Sequence, residues 1–543
     1  MRSTALARIM LAFKACVLFL TLFTTFTSAA EVRLIFRLHN MRTAPDGVER
    51  PMLVVNGQFP GPAITATVGD DIAIEVVNDA TYDGGASVAF HWHGILQNGT
   101  NFMDGTPMVT QCPIVPNHVF TYRFKASQAG TYWWQAQAEG YHVDGAVGAL
   151  VVYDFQDPNK LLYDVDDAST VVVLSDHYHI DSYTLVPRYL SPESKGVEPV
   201  PNGGLINGKG RYKGGPSVPF TVFSVIPNRR YRFRVINVGT ATPFQFSIDG
   251  HKLRVIEADG VAIQPYEVDR LTIDVGQRYS VVLHATQHVG NYWVHAVMDT
   301  SRFSGDVSAL NPAVKAILLY KGATVADPAG DPNAPPSPPS NGFVDLDPSA
   351  LKPMNPQNPP AMDQSVALNI ALKIDETSKI PIGLVNDVAW HPPKAPILLQ
   401  VLSGASSSDD LLPKTLVLPP SKGIEFVINN ANSFSEPFHL HGYQFYVISS
   451  GTGQFTPGTS PVNTDNPPRR DTITVPANGY AVIRFTSYNL GAWALHSNNQ
   501  WHLRAGVFMP FVTDPAGTRK IRPPREWDQV CADYTKYKDN GGI

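Results

Sequence analysis

The sequence predicts an all-β protein of three Greek-key sandwiches in tandem, and three observations lead there. A chain of 543 residues is too long for one hydrophobic core, and at about 150–200 residues per domain it suits three. Short runs that alternate apolar and polar residues are separated by frequent Gly and Pro, the pattern of strands joined by turns; Tyr231, Phe233 and Val235, interleaved with arginines, are the plainest case. The third observation is an internal repeat.

Gly130-Thr131-Tyr132-Trp133, Gly290-Asn291-Tyr292-Trp293 and Gly491-Ala492-Trp493 each follow an alternating run, at Thr121–Phe124, Tyr279–Leu283 and Ala481–Phe485. Five residues beyond each glycine stand Gln135, His295 and His496, so the copies share a register. A second element precedes the first in each copy: Phe90-His91-Trp92-His93-Gly94, Phe246-Ser247-Ile248-Asp249-Gly250 and Phe438-His439-Leu440-His441-Gly442. The expected domains are 31–157, 158–322 and 366–543. The Pro-rich stretch 323–365 reads as a connecting linker rather than a fourth domain.

The N-terminus is a separate object. Arg2, Arg8 and Lys14 precede an apolar run from Ala15 to Phe26 and then Ser28-Ala29-Ala30, the pattern of a secretory signal peptide over 1–30 with cleavage after Ala30. The run is shorter than the ~20 apolar residues of a membrane anchor. Secretion is therefore expected, with no membrane partner. Removing the segment takes the formal net charge from −5 to −8, which leaves no electrostatic case for nucleic acid. It also removes Cys16 and leaves Cys112 and Cys531, which in an oxidising compartment most simply form one disulfide. Asn98-Gly99-Thr100 is a glycosylation sequon suited to a surface loop, with Asn98 as acceptor.

The repeat also says where chemistry belongs. Residues i and i+2 of a strand point to one side, so His91/His93 and His439/His441 each present two imidazoles together. The middle copy has Ser247 and Asp249, a poor metal pair. A metal centre built from His91, His93, His439, His441 and His496 is expected between the first and third domains. The competing reading is a set of packed histidines with no metal.

At these residues a family likeness becomes specific. His91-Trp92-His93-Gly94, Asp104-Gly105 and Thr110-Gln111-Cys112-Pro113-Ile114 resemble the first signature of laccases within the multicopper oxidases. Pro437-Phe438-His439-Leu440-His441-Gly442 and Trp501-His502-Leu503 with Gly506 resemble the later ones. The resemblance covers the mature chain and implies three cupredoxin-like domains. It also implies a disulfide between Cys112 and Cys531, a type 1 copper that takes electrons from substrate, and a trinuclear copper cluster that reduces oxygen. His91 and His439 correspond to type 2 ligands; His93, His441 and His496 correspond to type 3 ligands. The pattern departs at Gln135, Gln137 and Asn498 in the cluster. At the type 1 site Glu436 and Ser497 stand where the family has a histidine and the cysteine, and only His502 remains. Blue copper needs a soft thiolate, and amides bind copper far more weakly than imidazole.

Four-copper turnover is therefore expected to be absent or strongly reduced. The expected cofactor is at most one copper ion; zinc would also suit the donors, and no metal at all is the third case. The first functional expectation is non-oxidative binding of an aromatic or secondary-metabolite small molecule. Asn202, ahead of Leu205-Ile206-Asn207-Gly208, stands near where the family places an acidic phenol-contacting residue. The second is a single-metal enzyme, either a copper oxidoreductase or a zinc-assisted hydrolase or lyase. Glu436 and His502 are expected to face each other as a salt bridge or an acid–base pair. His177 and His179 read as structural hydrogen-bonders, and His142 reads as a loop histidine, with substitution for one of the lost ligands as its alternative. The oligomeric state is not legible in the sequence.

Overall fold

The computed structural model describes residues 29–81, 87–137, 142–411 and 413–542. Apart from Ala29 and Ala30, the expected signal segment lies outside the described residues. Six sheets pair into three sandwiches. The first pairs the sheet Arg50–Val55, Glu31–Thr43, Asp71–Asn78, Val119–Lys125 with the sheet Ile64–Thr67, Val147–Tyr153, Gly130–Gln137, Ala89–His93. Some neighbours in each sheet are not consecutive in sequence, as where Glu31–Thr43 lies beside Asp71–Asn78 and Ala89–His93 beside Gly130–Gln137, the mark of Greek-key connections.

The sequence repeat reappears as topology. In the middle sandwich one sheet runs Val222–Val225, Ala313–Tyr320, Asn291–Met298, Phe244–Ile248, Arg270–Ile273. Its counterpart in the third runs Leu416–Leu418, Phe508–Thr513, Gly491–Ser497, Glu436–Leu440, Thr472–Val475. Pairing follows the expected register: His91 lies opposite Gln135, Ser247 opposite His295, and His439 opposite His496. One side of each such strand faces a core of Val, Ile and aromatic residues. The other side, in the first and third copies, carries the histidines.

Helices are where the sequence reading fell short. Ser182–Tyr189, Ile397–Leu402, Gln500–Ala505 and Arg525–Asp539 are α-helical and lie where sandwiches meet. Ile397, Leu398, Val401, Trp527 and Val530 join the core of the first sandwich together with Ala492 and Val512. Trp501 enters the core of the middle one. The sandwiches thus share apolar cores rather than merely touching. Cys112 and Cys531 form a disulfide, and Trp527 Nε1 donates to the Thr110 carbonyl at 2.9 Å, so the C-terminal helix is tied to the first sandwich twice. The Pro-rich connection is also held down: Asp345 pairs with Arg270, and Leu346 and Leu351 are buried in the middle core. Among the described residues no helix is long and apolar enough to cross a membrane.

Candidate metal centre and the adjoining cleft

Five histidines converge at the junction of the first and third sandwiches, each at most 1% exposed. His91 and His93 come from Ala89–His93, His439 from Glu436–Leu440, His441 from just beyond that strand, and His496 from Gly491–Ser497. Ring centroids lie 3.6 Å apart for His93 and His439, 4.0 Å for His91 and His441, and 4.9 Å for His441 and His496.

Hydrogen bonds orient the rings. Nδ1 of His91 donates to the Asp104 carbonyl at 2.9 Å, Nδ1 of His439 to the Asp471 carbonyl at 2.9 Å, and Nδ1 of His496 to the Ser497 carbonyl at 2.8 Å. Each bond places the proton on Nδ1 and leaves Nε2 as a bare donor atom turned inward, the arrangement by which proteins present imidazole to metals. Nε2 of His91, Nε2 of His439 and Nδ1 of His93 are buried without a hydrogen-bond partner. One ligand atom from each of these three residues lies within 4.8 Å of the others. His441 donates from Nδ1 to Asp104 Oδ2 at 2.9 Å, so its Nε2 meets His496 Nε2 at 2.8 Å with both lone pairs facing. Two bare nitrogens at that separation repel unless a cation or a shared proton lies against them.

Protonation is disfavoured there. Burial is the main cause that takes His439 down to about 4 and His441 to about 3, and neighbouring imidazoles push both the same way. Burial likewise carries His93 and His496 well below the ordinary imidazole value. The carboxylates stay charged. Burial works to raise Asp104, but His441 and His91 outweigh it, and the group titrates well below its usual range. Asp471 goes the same way because Arg278 holds it through two bonds of 2.6 Å. Neutral imidazoles with inward lone pairs beside fixed negative charge fit a copper- or zinc-sized cation.

Two of the three amides are bonded to the frame, whereas Gln137 Oε1 is buried without a hydrogen-bond partner. Gln135 Oε1 bonds His142 Nδ1, whose other nitrogen bonds the Val238 carbonyl at 2.7 Å, so His142 is a loop histidine, in the turn at 142–145, that is buried and hydrogen-bonded at both ring nitrogens. Asn498 Nδ2 donates to the Val275 carbonyl at 3.1 Å.

A second polar cluster adjoins the first. Asn499 caps the helix Gln500–Ala505 and so sets the position of His502. His502 Nδ1 donates to Glu436 at 2.7 and 2.9 Å, and its Nε2 donates to Glu198 at 2.6 Å. Ser497 Oγ donates to Glu436 as well. Burial acts to lower the pKa of His502, but Glu198 and then Glu436 outweigh it and lift it to about 10. The result is an imidazolium with both protons committed. Glu436 and His502 meet as their positions in the sequence suggested, but Glu198 was missed. A glutamate among Val197, Pro199 and Val200 was a faint signal, and nothing local connects it to a histidine 304 residues away.

Glu198 is also the link to the outside. It lines a cleft of about 460 Å³ with Tyr178, Leu185, Tyr189, Val197 and Asn202. Asn202 is thus on the cleft wall, although its Oδ1 already accepts the His179 backbone N–H at 2.9 Å. His502 and Glu436 lie behind Glu198, sealed from solvent. Elsewhere, His295 pairs with Asp249 at 2.8 Å and Asn98 is exposed. His179 bonds Asp46 as expected of a structural histidine, whereas Nε2 of His177 stands 3.9 Å from Asp46 Oδ1 and makes no hydrogen bond.

Three sandwiches with a buried histidine cluster between the first and third define the class of multidomain cupredoxin-like metalloproteins. Residues 38–157, 168–323 and 390–517 each match a multicopper oxidase domain. The chain is 38% identical to Laccase-1 of Agaricus bisporus over 510 residues, covering 92% of this chain and 94% of that one. It is 40% identical to Laccase-4 of Thanatephorus cucumeris over 494 residues, covering 90% of each. Among solved structures, Fet3p, a multicopper oxidase that functions in iron import, matches with a TM-score of 0.84 at 27% identity over 93% of this chain and 95% of that one. The laccase from Botrytis aclada matches with a TM-score of 0.82 at 28% identity, covering 94% of this chain and 93% of that one. The chain belongs to the multicopper oxidase family and is laccase-like, and copper is the metal the family implies.

Proposed function

We propose that this protein is a laccase-like family member that works without four-copper electron transfer and binds a small aromatic or secondary-metabolite molecule in the cleft walled by Tyr178, Tyr189, Glu198 and Asn202. The carrying observation is the state of His502. Both its nitrogens are bound to carboxylates, and a serine hydroxyl stands where the family has its copper thiolate. Hard oxygen donors and an occupied imidazole do not fit a type 1 copper, and without one electrons from a phenol have no entry. On this reading the positions Glu436, Ser497, Gln135, Gln137 and Asn498 are lost copper ligands, and the buried ion-pair cluster plugs the electron-entry site. The cleft offers rings for stacking and a few polar groups for orientation, as small-molecule sites do. The N-terminal signal pattern and the exposed Asn98 support export and glycosylation.

A second reading, a single-metal enzyme, draws on the partnerless nitrogens of His91, His93 and His439. These three residues would hold one ion, which would supply Lewis-acid or one-electron chemistry there.

Protein produced in copper-replete medium tests both. No intense absorption near the red end of the visible spectrum is expected, and no more than one ion in the cluster. His439→Ala should abolish that ion's binding while His295→Ala leaves it intact. A strong red-end band lost on chelation, or three to four coppers per chain, would overturn the proposal. Aromatic-ligand binding by metal-free protein between pH 5 and 8 tests the cleft. If Glu436→Gln and His502→Ala both leave binding unchanged, the ion-pair cluster is a plug alone.

A further inference from the structure

A third His-x-His pair lies outside the cluster. His177 ends the strand Val171–His177, and His179 follows two residues on. Their rings share one side, while Tyr178 between them turns toward the cleft. Facing the pair is Asp46, from the turn ahead of Arg50–Val55. Asp46 Oδ2 lies 2.7 Å from His179 Nε2, and Asp46 Oδ1 lies 3.9 Å from His177 Nε2. One donor atom from each residue lies within 4.8 Å of the others.

An Asp–His hydrogen bond alone would be structural. His177 changes the case, because its ring is 3% exposed and its Nε2, aimed at the Asp46 carboxylate, is too far to hydrogen-bond and has no other partner. Buried polar atoms are almost always satisfied, and an exception calls for a missing partner. We propose that Asp46, His177 and His179 form a second divalent-metal site, a two-histidine, one-carboxylate set that takes zinc with its fourth position open to solvent.

The geometry is near what such an ion needs. Tetrahedral zinc with bonds of about 2.0–2.2 Å holds its donors roughly 3.3–3.6 Å apart. Asp46 faces His177 with Oδ1 and His179 with Oδ2, and one ligand atom from each of the three residues already lies within 4.8 Å of the others, so an ion draws the set together by about an ångström. The Val48 N–H, 3.1 Å from Asp46 Oδ1, steadies the carboxylate. The nearby cation, Arg50, is neutralised by Asp144 and donates to the Tyr178 carbonyl at 2.5 Å, so Asp46 remains available to a metal. His179 is 16% exposed, which provides the way in. The Asn202 N–H donates to the His177 carbonyl and its side chain accepts from the His179 N–H, so an ion here would also stiffen one wall of the cleft.

This ion is additional to any held by the cluster, and a count alone does not separate them. The test is zinc titration of the full chain carrying His91→Ala and His439→Ala, with cobalt(II) as a spectroscopic substitute. One ion per chain and a four-coordinate cobalt spectrum are expected. Asp46→Asn or His177→Phe should weaken binding by at least about tenfold; His177 Nε2 makes no hydrogen bond that the change would break. Absence of a bound ion, or binding unchanged in both variants, overturns the site. Should the cluster variant fail to fold, the same substitutions in the otherwise unaltered chain must each lower the zinc content by one ion, and no drop overturns the proposal equally.

Discussion

His502 is held between Glu436 and Glu198, with both ring protons directed at carboxylate oxygens. Removing either carboxylate removes half of what keeps the ring charged in a buried place. Glu436→Gln and Glu198→Gln are each expected to lower the pKa of His502 from about 10 toward the ordinary 6.5, read by NMR of the imidazole. The folded value lies above the unfolded one. The stability this group contributes is therefore complete below about pH 6.5 and is lost as pH rises through about 10. Denaturant unfolding between pH 6 and 10 should show that decline in the parent and much less of it in Glu436→Gln. An identical pH dependence in both would show that the pair is not coupled. The sequence suggested the His502–Glu436 meeting because both positions belong to one site in the family. It did not suggest Glu198, which stands in a Pro-rich loop of another sandwich.

Among the local elements, the Asp104-Gly105 turn carries more of the site than its length suggests. Asp104 accepts hydrogen bonds from His91 through its carbonyl and from His441 through its side chain. It can do so because Gly105, at φ +80°, lets the turn lie against the strand that bears His91. A Cβ at Gly105 would stand 1.6 Å from the Phe90 carbonyl oxygen, and backbone cannot give way as a side chain can. Gly105→Ala is expected to cost more than about 1–3 kcal/mol and to loosen metal retention by the cluster. Thermal unfolding and metal content check the two effects separately, and a variant with unaltered Tm would remove this role for the turn. The strands themselves were legible from alternation and the repeat. The helix Arg525–Asp539 was not read as one, although Trp527, Val530, Cys531 and Tyr534 recur at the spacing of a helix face.

At the scale of the whole molecule, one side chain binds all three sandwiches. Arg278, from the middle sandwich and fully buried, donates to the Thr131 carbonyl of the first at 2.9 Å and to Asp471 of the third at 2.6 Å twice. Breaking a buried ion pair by removing one partner costs about 3–5 kcal/mol, since the other charge stays buried and unpaired. Arg278→Met should destabilise by that amount in denaturant unfolding. It should also raise the pKa of His439, because an unpaired Asp471 acts on the ring more strongly. Arg278→Lys keeps the charge without the two-pronged geometry and should fall between. A loss below about 1 kcal/mol for the Met variant would mean that the apolar cores alone hold the sandwiches together.

The sequence by itself determined the all-β class, the threefold repeat, the placement of a histidine cluster in the first and third copies, and the two cysteines that pair. These follow from local periodicity, from residues at equivalent positions of a repeat, and from elimination among few candidates. The family resemblance added the expected ligand positions and their departures. Only the tertiary structure decided which nitrogen of His91 and of His439 faces inward, because that depends on the Asp104 and Asp471 carbonyls, which lie 13 and 32 residues away. It alone placed Glu198 against His502, and Asp46 opposite His177 and His179. Those contacts join segments more than 100 residues apart, where no spacing rule operates and only the packing of one sandwich on another brings the groups together.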